Sequence, residues 1–133
     1  DGLGLRYALA GQPPPMKRAA DGQVSELPLP EHRLPLGAMT RGRHRLSCVT
    51  LEPGEVILAF SDGVIEAHSR RSEMFGEQRL AQVLTAAPPR PREIVDQVLA
   101  ALDRFTDGNE PYDDITLIAI ARRSQPAGAA LED

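Results

Sequence analysis

Two short stretches of the chain are apolar at nearly every position instead of alternating between apolar and polar residues. They cover residues 56–60 and 115–121. An apolar run of this length predicts a strand that is covered on both faces, either in a sandwich of sheets or beneath helices. These two segments are therefore the predicted central strands of the fold.

Apolar residues at helical spacing predict two helices between these strands. The first covers residues 77–86 and is ended by the Pro88-Pro89 pair. The second opens at Pro91, which suits a first helical position, and ends near Gly108. The apolar faces contain Leu80, Val83 and Leu84 in the first helix and Ile94, Val95, Val98, Leu99, Leu102 and Phe105 in the second.

Weaker strand patterns occur before the first central strand. They predict strands over residues 5–9, 16–20, 23–27 and 43–51. The Asp21-Gly22 pair between the second and third of these predicts a hairpin with a type I′ turn. After the last of them, Pro53-Gly54 predicts a type II turn that leads into the central strand.

The composition limits the classes of protein to which the chain can belong. A length of 133 residues, 41% of them hydrophobic, is enough for one domain with a packed core. Cys48 is the single cysteine, which excludes an internal disulfide and a cysteine-based zinc site, and we expect it to be a small buried side chain. The chain has no apolar run long enough to span a membrane and no secretory signal at its start, which predicts a cytoplasmic protein without membrane contact.

Charge is distributed unevenly along the chain. The net charge of −4 argues against a nucleic-acid-binding surface. Residues 51–133 hold eight basic and fifteen acidic residues. Because a solvated acidic surface is the common reason for such an excess, the charge alone does not predict a metal site.

Carboxylates stand at one end of each predicted central strand. Asp62 follows the first, and Asp113 and Asp114 precede the second. If these strands are antiparallel neighbours, all three residues lie at the same edge of the sheet. Magnesium and manganese prefer such oxygen ligands, so a metal site is one interpretation. Ordinary acidic turns are the other, and the pattern alone favours them.

Three segments of the chain together carry a family pattern: residues 51–67 (Leu-Glu-Pro-Gly-Glu-Val-Ile-Leu-Ala-Phe-Ser-Asp-Gly-Val-Ile-Glu-Ala), 74–77 (Met-Phe-Gly-Glu) and 113–117 (Asp-Asp-Ile-Thr-Leu). In order and spacing they closely resemble the metal-dependent protein phosphatases of the 2C type. The chain is similar in particular to their bacterial branch, typified by the sporulation stage II protein E phosphatase.

The resemblance covers nearly the whole chain and implies its architecture. Residues 1–123 are expected to be the C-terminal portion of a phosphatase domain, and residues 124–133 a flexible tail. The implied fold is an α-β-β-α sandwich of two mainly antiparallel sheets flanked by helices, of which this chain forms roughly the second half.

The resemblance also implies a reaction and a set of site residues. The reaction is hydrolysis of phosphoserine or phosphothreonine by a water held between two Mn²⁺ or Mg²⁺ ions in the complete domain. By motif, Asp62 and Asp113 match metal ligands, and Gly63 lets the backbone pass close to the metals. Asp114 and Thr116 are expected to support the ligands, Thr116 by orienting a carboxylate through its hydroxyl.

Other parts of the family pattern are ambiguous or absent. Glu66 is equally compatible with two interpretations, a ligand of an accessory third ion and a solvated surface residue. The carboxylate that bridges the two ions lies in the first half of the family domain, so we expect this chain alone to be inactive. Gln12 stands where this branch commonly has histidine, and we expect it to be a polar loop residue without a catalytic task.

Three functions are compatible with the sequence. The first is a protein serine/threonine phosphatase that acts on a phosphorylated regulatory protein, by family analogy an anti-sigma-factor antagonist. The second is a non-catalytic regulatory or binding module that keeps the fold, and the third is an α/β domain whose acidic turns are only turns. A half-sandwich exposes sheet edges, so we also expect association with the missing N-terminal half of the domain or with a second copy.

Overall fold

The computed structural model of the protein describes residues 3–31, 33–38, 44–109 and 113–122. In chain order the elements of this part are β1 (Leu3–Tyr7), β2 (Met16–Arg18), β3 (Val24–Glu26), β4 (Ser47–Leu51), β5 (Val56–Phe60), α1 (Asp62–Ile65), α2 (Gly76–Ala86), α3 (Pro91–Thr106) and β6 (Leu117–Ala121). The predicted tail, residues 124–133, lies outside the described residues. So does Arg43, the first residue of a predicted strand.

The strands form two antiparallel sheets. β1 pairs with β4, and a second sheet has the order β3-β2-β5-β6. Apolar side chains join the two sheets: Leu5, Tyr7, Val49 and Leu51 from the smaller sheet, Ile57 and Ile120 from the larger one, and Leu27 beside them. This arrangement confirms the expected mixed α/β fold with two mainly antiparallel sheets.

The opposite face of the larger sheet is covered by α2 and α3. In β5, Val56, Leu58 and Phe60 pack in the cluster on this face, whereas Ile57 packs in the cluster between the sheets. The strand is therefore buried on both sides, as its unbroken apolar sequence predicts. The helices contribute Leu80, Leu84, Ile94, Val98 and Leu102, each of which is at most 3% exposed.

Both long helices have the predicted positions. α2 begins one residue before its predicted start, and α3 begins at Pro91 as expected. α3 ends at Thr106 because Asp107 and Gly108 have positive φ angles of +48° and +82°, which a right-handed helix cannot continue. Among the helices of the described residues, none has both the length and the apolar composition that a bilayer-spanning helix requires.

The hairpin at Asp21-Gly22 is present, but its turn is not the predicted type I′. Gly22 has a φ of +92°, whereas Asp21 lies outside the positive-φ region that a type I′ turn requires at both positions. The amide of Gly22 donates to the carbonyl of Ala19 at 3.0 Å, and the amide of Ala19 donates to the carbonyl of Gln23 at 2.8 Å. The connection is thus a three-residue loop that ends in a glycine bulge.

Cys48 is exposed, so the expectation of a buried cysteine was wrong. It lies in β4 opposite Arg6, on the side of the two-stranded sheet that faces away from the larger sheet. Val49 and Leu51 point inward and alternate with it, because successive side chains of a strand point to opposite faces. The apolar composition of a segment does not show which face of a strand a residue occupies, whereas this alternation does.

Arg18 is a buried charged residue, 8% exposed, that ties β2 to α2. Its Nε donates to the carbonyl of Leu84 at 2.9 Å, and its Nη1 donates to the carbonyl of Ala19 at 3.1 Å. The Leu84 carbonyl is one of the last four of α2, which have no partner inside the helix. The guanidinium therefore satisfies this carbonyl and places positive charge at the negative end of the helix.

Lys17 connects the two sheets on the other side of β2. Its Nζ lies 2.7 Å from Oε2 of Glu55 and donates to the carbonyl of Thr50 in β4 at 3.2 Å. The same Oε2 accepts a 2.8 Å hydrogen bond from the amide of Glu52. Burial is the largest single influence on the pKa of Glu55 and raises it. The hydrogen bonds from Glu52 and Lys17, together with the charge of Lys17, outweigh burial, so the pKa is lowered overall.

Glu55→Gln is expected to lower the free energy of unfolding at pH 7 by about 1 kcal/mol, because it removes a charge-assisted hydrogen bond. A carboxyl group whose pKa is lowered by folding stabilises the protein above its unfolded pKa and loses that contribution as the pH falls through the folded value. The difference between wild type and variant should therefore shrink as the pH falls below about 4.5. Urea denaturation at neutral and acidic pH measures both effects.

Glu31→Gln is the matched control for this prediction. Glu31 pairs with Arg45 at 3.1 Å, but the two side chains are 73% and 67% exposed, so solvent screens the pair and its loss should change stability little. Equal losses in the two variants, or a Glu55→Gln effect that persists unchanged in acid, would contradict the assigned role of Glu55.

Candidate metal centre

The candidate site lies where β5 ends and β6 begins. The two strands are antiparallel neighbours, and Phe60 and Leu117 form the last pair of their ladder at this edge. Asp62 lies shortly after β5 and Asp113 shortly before β6, so both residues are at the same edge of the sheet. The strand pairing that the predicted site requires is therefore present, and the metal assignment stays a prediction.

Ser61 joins the two chain segments at this edge. Its amide donates to the carbonyl of Thr116 at 3.1 Å. Its hydroxyl donates to the carbonyl of Asp114 at 2.8 Å and accepts a 2.9 Å hydrogen bond from the amide of Thr116. Ser61 was not among the predicted site residues, and its position directly before Asp62 is the signal that could have identified it.

Gly63 brings the backbones of the two segments into direct contact. A Cβ at this position would lie 2.6 Å from the carbonyl oxygen of Asp114 and 3.2 Å from that of Asp113. Real Cβ atoms essentially never approach other atoms closer than 3.0 Å. The φ angle of Gly63 is not positive, so glycine is required here for space and not for its conformational freedom.

Asp62 and Asp113 both expose their side chains at this edge. The Oδ1 atom of Asp62 accepts a 3.2 Å hydrogen bond from the amide of Gly63, and that of Asp113 accepts one of 2.7 Å from the amide of Asp114. An ionised carboxylate has about four lone-pair sites, so one such bond leaves capacity for a cation. Asp62 and Asp113 thus offer hard oxygen donors, and Gly63 beside them has no side chain. These residues fit part of a Mg²⁺ or Mn²⁺ ligand set.

The other predicted site residues lie on the same two chain segments as these aspartates. Glu66 directly follows α1, its side chain is exposed, and its amide donates to the carbonyl of Asp62 at 2.9 Å. Asp114 is exposed and contributes its carbonyl to Ser61. Thr116 is held through its backbone amide and carbonyl, and the orienting role of its hydroxyl stays a prediction.

Within the ranges that the structure describes, no three histidine, cysteine, aspartate or glutamate side chains gather into a set that could hold a metal ion. His44 and His68 are both half-buried. The Nε2 atom of His44 lies 2.8 Å from the carbonyl oxygen of Leu34, and His68 lies in a cleft beside α3. The candidate site therefore consists of the strand-end carboxylates and the backbone around them.

An open cleft of about 370 Å³ adjoins the site between the two sheets. Its walls include Tyr7, Leu9, Gln12, Phe60, Ser61, Thr116 and Ile118. Gln12 thus lies on a cleft wall shared with Ser61, a placement that the sequence did not indicate. The expectation that Gln12 has no catalytic task stays a prediction.

Solved structures identify the class of protein that has this fold. The phosphatase domain of the cell fate determinant SpoIIE from Bacillus subtilis, presoaked with Mn, matches with a TM-score of 0.68 and 20% identity over 94% of this chain and 53% of that chain. The RsbU and RsbW domains of Rv1364c from Mycobacterium tuberculosis match with a TM-score of 0.65 and 27% identity over 92% of this chain and 33% of that chain. The chain has the fold of a phosphatase domain.

The family can be stated more narrowly. The Stage II sporulation protein E (SpoIIE) family model matches residues 2–123, and the chain belongs to this family. Protein IcfG of Synechocystis sp. (strain PCC 6803) is 37% identical over 87 residues, which are 65% of this chain and 14% of that protein. These matches confirm the resemblance seen in the sequence, and the chain spans only a part of each of these relatives.

Proposed function

We propose that this chain supplies part of the catalytic site of a protein serine/threonine phosphatase, with Asp62 and Asp113 as metal ligands. The observation that carries the proposal is the contact between the two aspartate segments, where a Cβ on Gly63 would lie 2.6 Å from the Asp114 carbonyl oxygen. Two independent surface turns have no need of such close backbone packing, whereas a shared cation requires both carboxylates in one place. Membership in the SpoIIE family supports the reaction.

Each residue of the site has a proposed task. When bound, two Mn²⁺ or Mg²⁺ ions activate a water for attack on phosphorus and offset the charge on the phosphoryl oxygens. Asp62 and Asp113 bind the cations through carboxylate oxygens at the ends of adjacent strands, where a fixed backbone limits reorganisation. Asp114 and Thr116 orient these carboxylates. Glu66 is a candidate ligand for an accessory ion.

The remaining ligands, including the bridging carboxylate, are proposed to come from the other part of the domain. The chain corresponds to 53% of the Bacillus phosphatase-domain structure. In the described part of the chain, β6 pairs on one side only and Ile118 is 55% exposed. We propose that this edge contacts the N-terminal half of the domain, with a second copy of the chain as the alternative partner.

The proposed substrate is a phosphorylated regulatory protein in the cytoplasm, by family analogy an anti-sigma-factor antagonist. The match to a structure that contains both an RsbU and an RsbW domain supports a phosphatase that works beside a regulatory partner. A non-catalytic module is not favoured, because the chain retains both carboxylates and the backbone contact that places them together.

The proposal predicts different activities for the 133-residue chain and for the complete domain. With Mn²⁺, the complete domain should release phosphate from a phosphoserine protein, and EDTA should stop the release. This chain alone should show little or no hydrolysis of para-nitrophenyl phosphate, because part of a two-metal ligand set does not hold the attacking water. Brisk, Mn²⁺-dependent hydrolysis by the chain alone would contradict the proposed division of the site.

A further inference from the structure

The hydroxyl of Ser61 has an unusual use for a residue at the start of a helix. Ser61 precedes α1 with the extended backbone angles of an N-cap, φ −81° and ψ 160°, and serine at this position normally caps the helix with its side chain. Here the side chain makes no capping hydrogen bond. A hydroxyl has one donor, and this donor is used 53 residues further along the chain, on the carbonyl of Asp114.

Three of the hydrogen bonds of Ser61 extend the β5–β6 connection beyond the regular ladder. The ladder ends at the pair of Phe60 and Leu117. The amide and the hydroxyl of Ser61 then hold both backbone groups of Thr116 and the carbonyl of Asp114. The segment next to Asp113 is thereby fixed by the residue directly before Asp62.

The Asp114 carbonyl is confined from two sides. Ser61 Oγ lies 2.8 Å from its oxygen, and a Cβ on Gly63 would lie 2.6 Å from the same oxygen. Ser61 and Gly63, which flank Asp62 in sequence, therefore both lie against the carbonyl of Asp114, the residue that follows Asp113. Small changes at Ser61 should change the distance between the two carboxylates before they change the rest of the fold.

We infer that Ser61 is a positioning residue that sets the separation of the Asp62 and Asp113 carboxylates through its hydroxyl. The inference rests on the proposed function, in which these carboxylates bind the cations. Without the hydroxyl, the segment before β6 keeps one hydrogen bond to the amide of Ser61 and loses two. The site then has to be ordered by the cation itself, which lowers the affinity for Mn²⁺.

The test compares three variants of the complete domain. Ser61→Thr retains the hydroxyl, Ser61→Val has the same shape as threonine without it, and Ser61→Ala removes it without added volume. Ser69→Ala is the control, because the Ser69 hydroxyl accepts hydrogen bonds from the amides of Arg71 and Glu73 within its own turn. The threonine–valine pair keeps the comparison valid if the alanine variant does not fold.

Two measurements are made on each variant: calorimetric titration with Mn²⁺ alone, and hydrogen exchange of the peptide that contains Thr116 in the metal-free protein. We expect about 10–100-fold weaker Mn²⁺ binding and faster exchange in Ser61→Ala and Ser61→Val. Ser61→Thr and Ser69→Ala should remain close to wild type in both measurements.

The outcomes separate this inference from the proposed function. One outcome is that the alanine and valine variants show faster exchange but unchanged Mn²⁺ affinity, while Asp62→Asn still weakens binding. Ser61 would then have a purely structural role, which would overturn the inference but not the proposed function. Equal affinities of the threonine and valine variants would overturn it as well. If Asp62→Asn and Asp113→Asn also bind Mn²⁺ normally, the proposed function fails, and the inference fails with it.

Discussion

Asp62→Asn and Asp113→Asn are each expected to reduce the phosphatase activity of the complete domain by more than about 100-fold. Changes in residues that only support metal ligands cost about 10–100-fold, so the loss of a ligand carboxylate should cost more. Asparagine has the shape of aspartate but lacks its charge, and both side chains are exposed, so the fold should not change. Phosphate release at saturating Mn²⁺ and the far-UV circular dichroism spectrum measure the two expectations.

Asp96→Asn is the control for these variants. Asp96 is exposed on α3, outside the two segments that form the β5–β6 edge. Its ion pair with Arg92 spans 3.9 Å between exposed side chains. Its replacement should leave the activity unchanged. Normal turnover in both Asp62→Asn and Asp113→Asn would show that the metal assignment is wrong.

Gly63→Ala is the second substitution with a large expected effect. In a helix, alanine is favoured over glycine by about 1 kcal/mol, so local propensity predicts a gain in stability. The added Cβ would, however, lie 2.6 Å from a backbone oxygen that cannot rotate away. Overpacking of this kind costs about 1–3 kcal/mol, and the backbone shift displaces the neighbouring aspartates. A displacement of about 1 Å at a catalytic site can reduce the rate about 100-fold.

Gly4→Ala provides the comparison. Gly4 lies in β1, and a Cβ at this position would have no atom of the described residues within 4 Å, so its replacement should leave activity unchanged and stability unchanged or slightly raised. Thermal unfolding and phosphate release of both variants test the contrast. A Gly63→Ala variant as stable and as active as Gly4→Ala would show that the two aspartate segments do not pack as described.

The sequence predicts those elements whose pattern is set by burial. β5 is apolar at each position because a layer covers each of its faces, and α3 has a complete apolar stripe between Pro91 and a left-handed end at Asp107. Both were therefore predicted with nearly correct bounds. Whether β5 and β6 are neighbours in the sheet could not be predicted, because strand pairing depends on the whole chain.

The contacts that complete the site could not be predicted in the same way. The hydroxyl of Ser61 has its partners 53 and 55 residues away, and a serine before an aspartate also fits an ordinary helix cap. The buried position of Arg18 likewise depends on the C-terminal carbonyls of α2, which no local pattern brings to β2. Such long-range polar contacts leave no periodic signal in the sequence.

The most direct test of the account is the position of Mn²⁺ in crystals of the complete domain, located by anomalous diffraction at the manganese edge. We predict Mn²⁺ within coordination distance, about 2.1 Å, of a carboxylate oxygen of Asp62 and of Asp113. Manganese bound elsewhere, with neither aspartate among its ligands, would contradict the central claim that these two strand ends form a metal site.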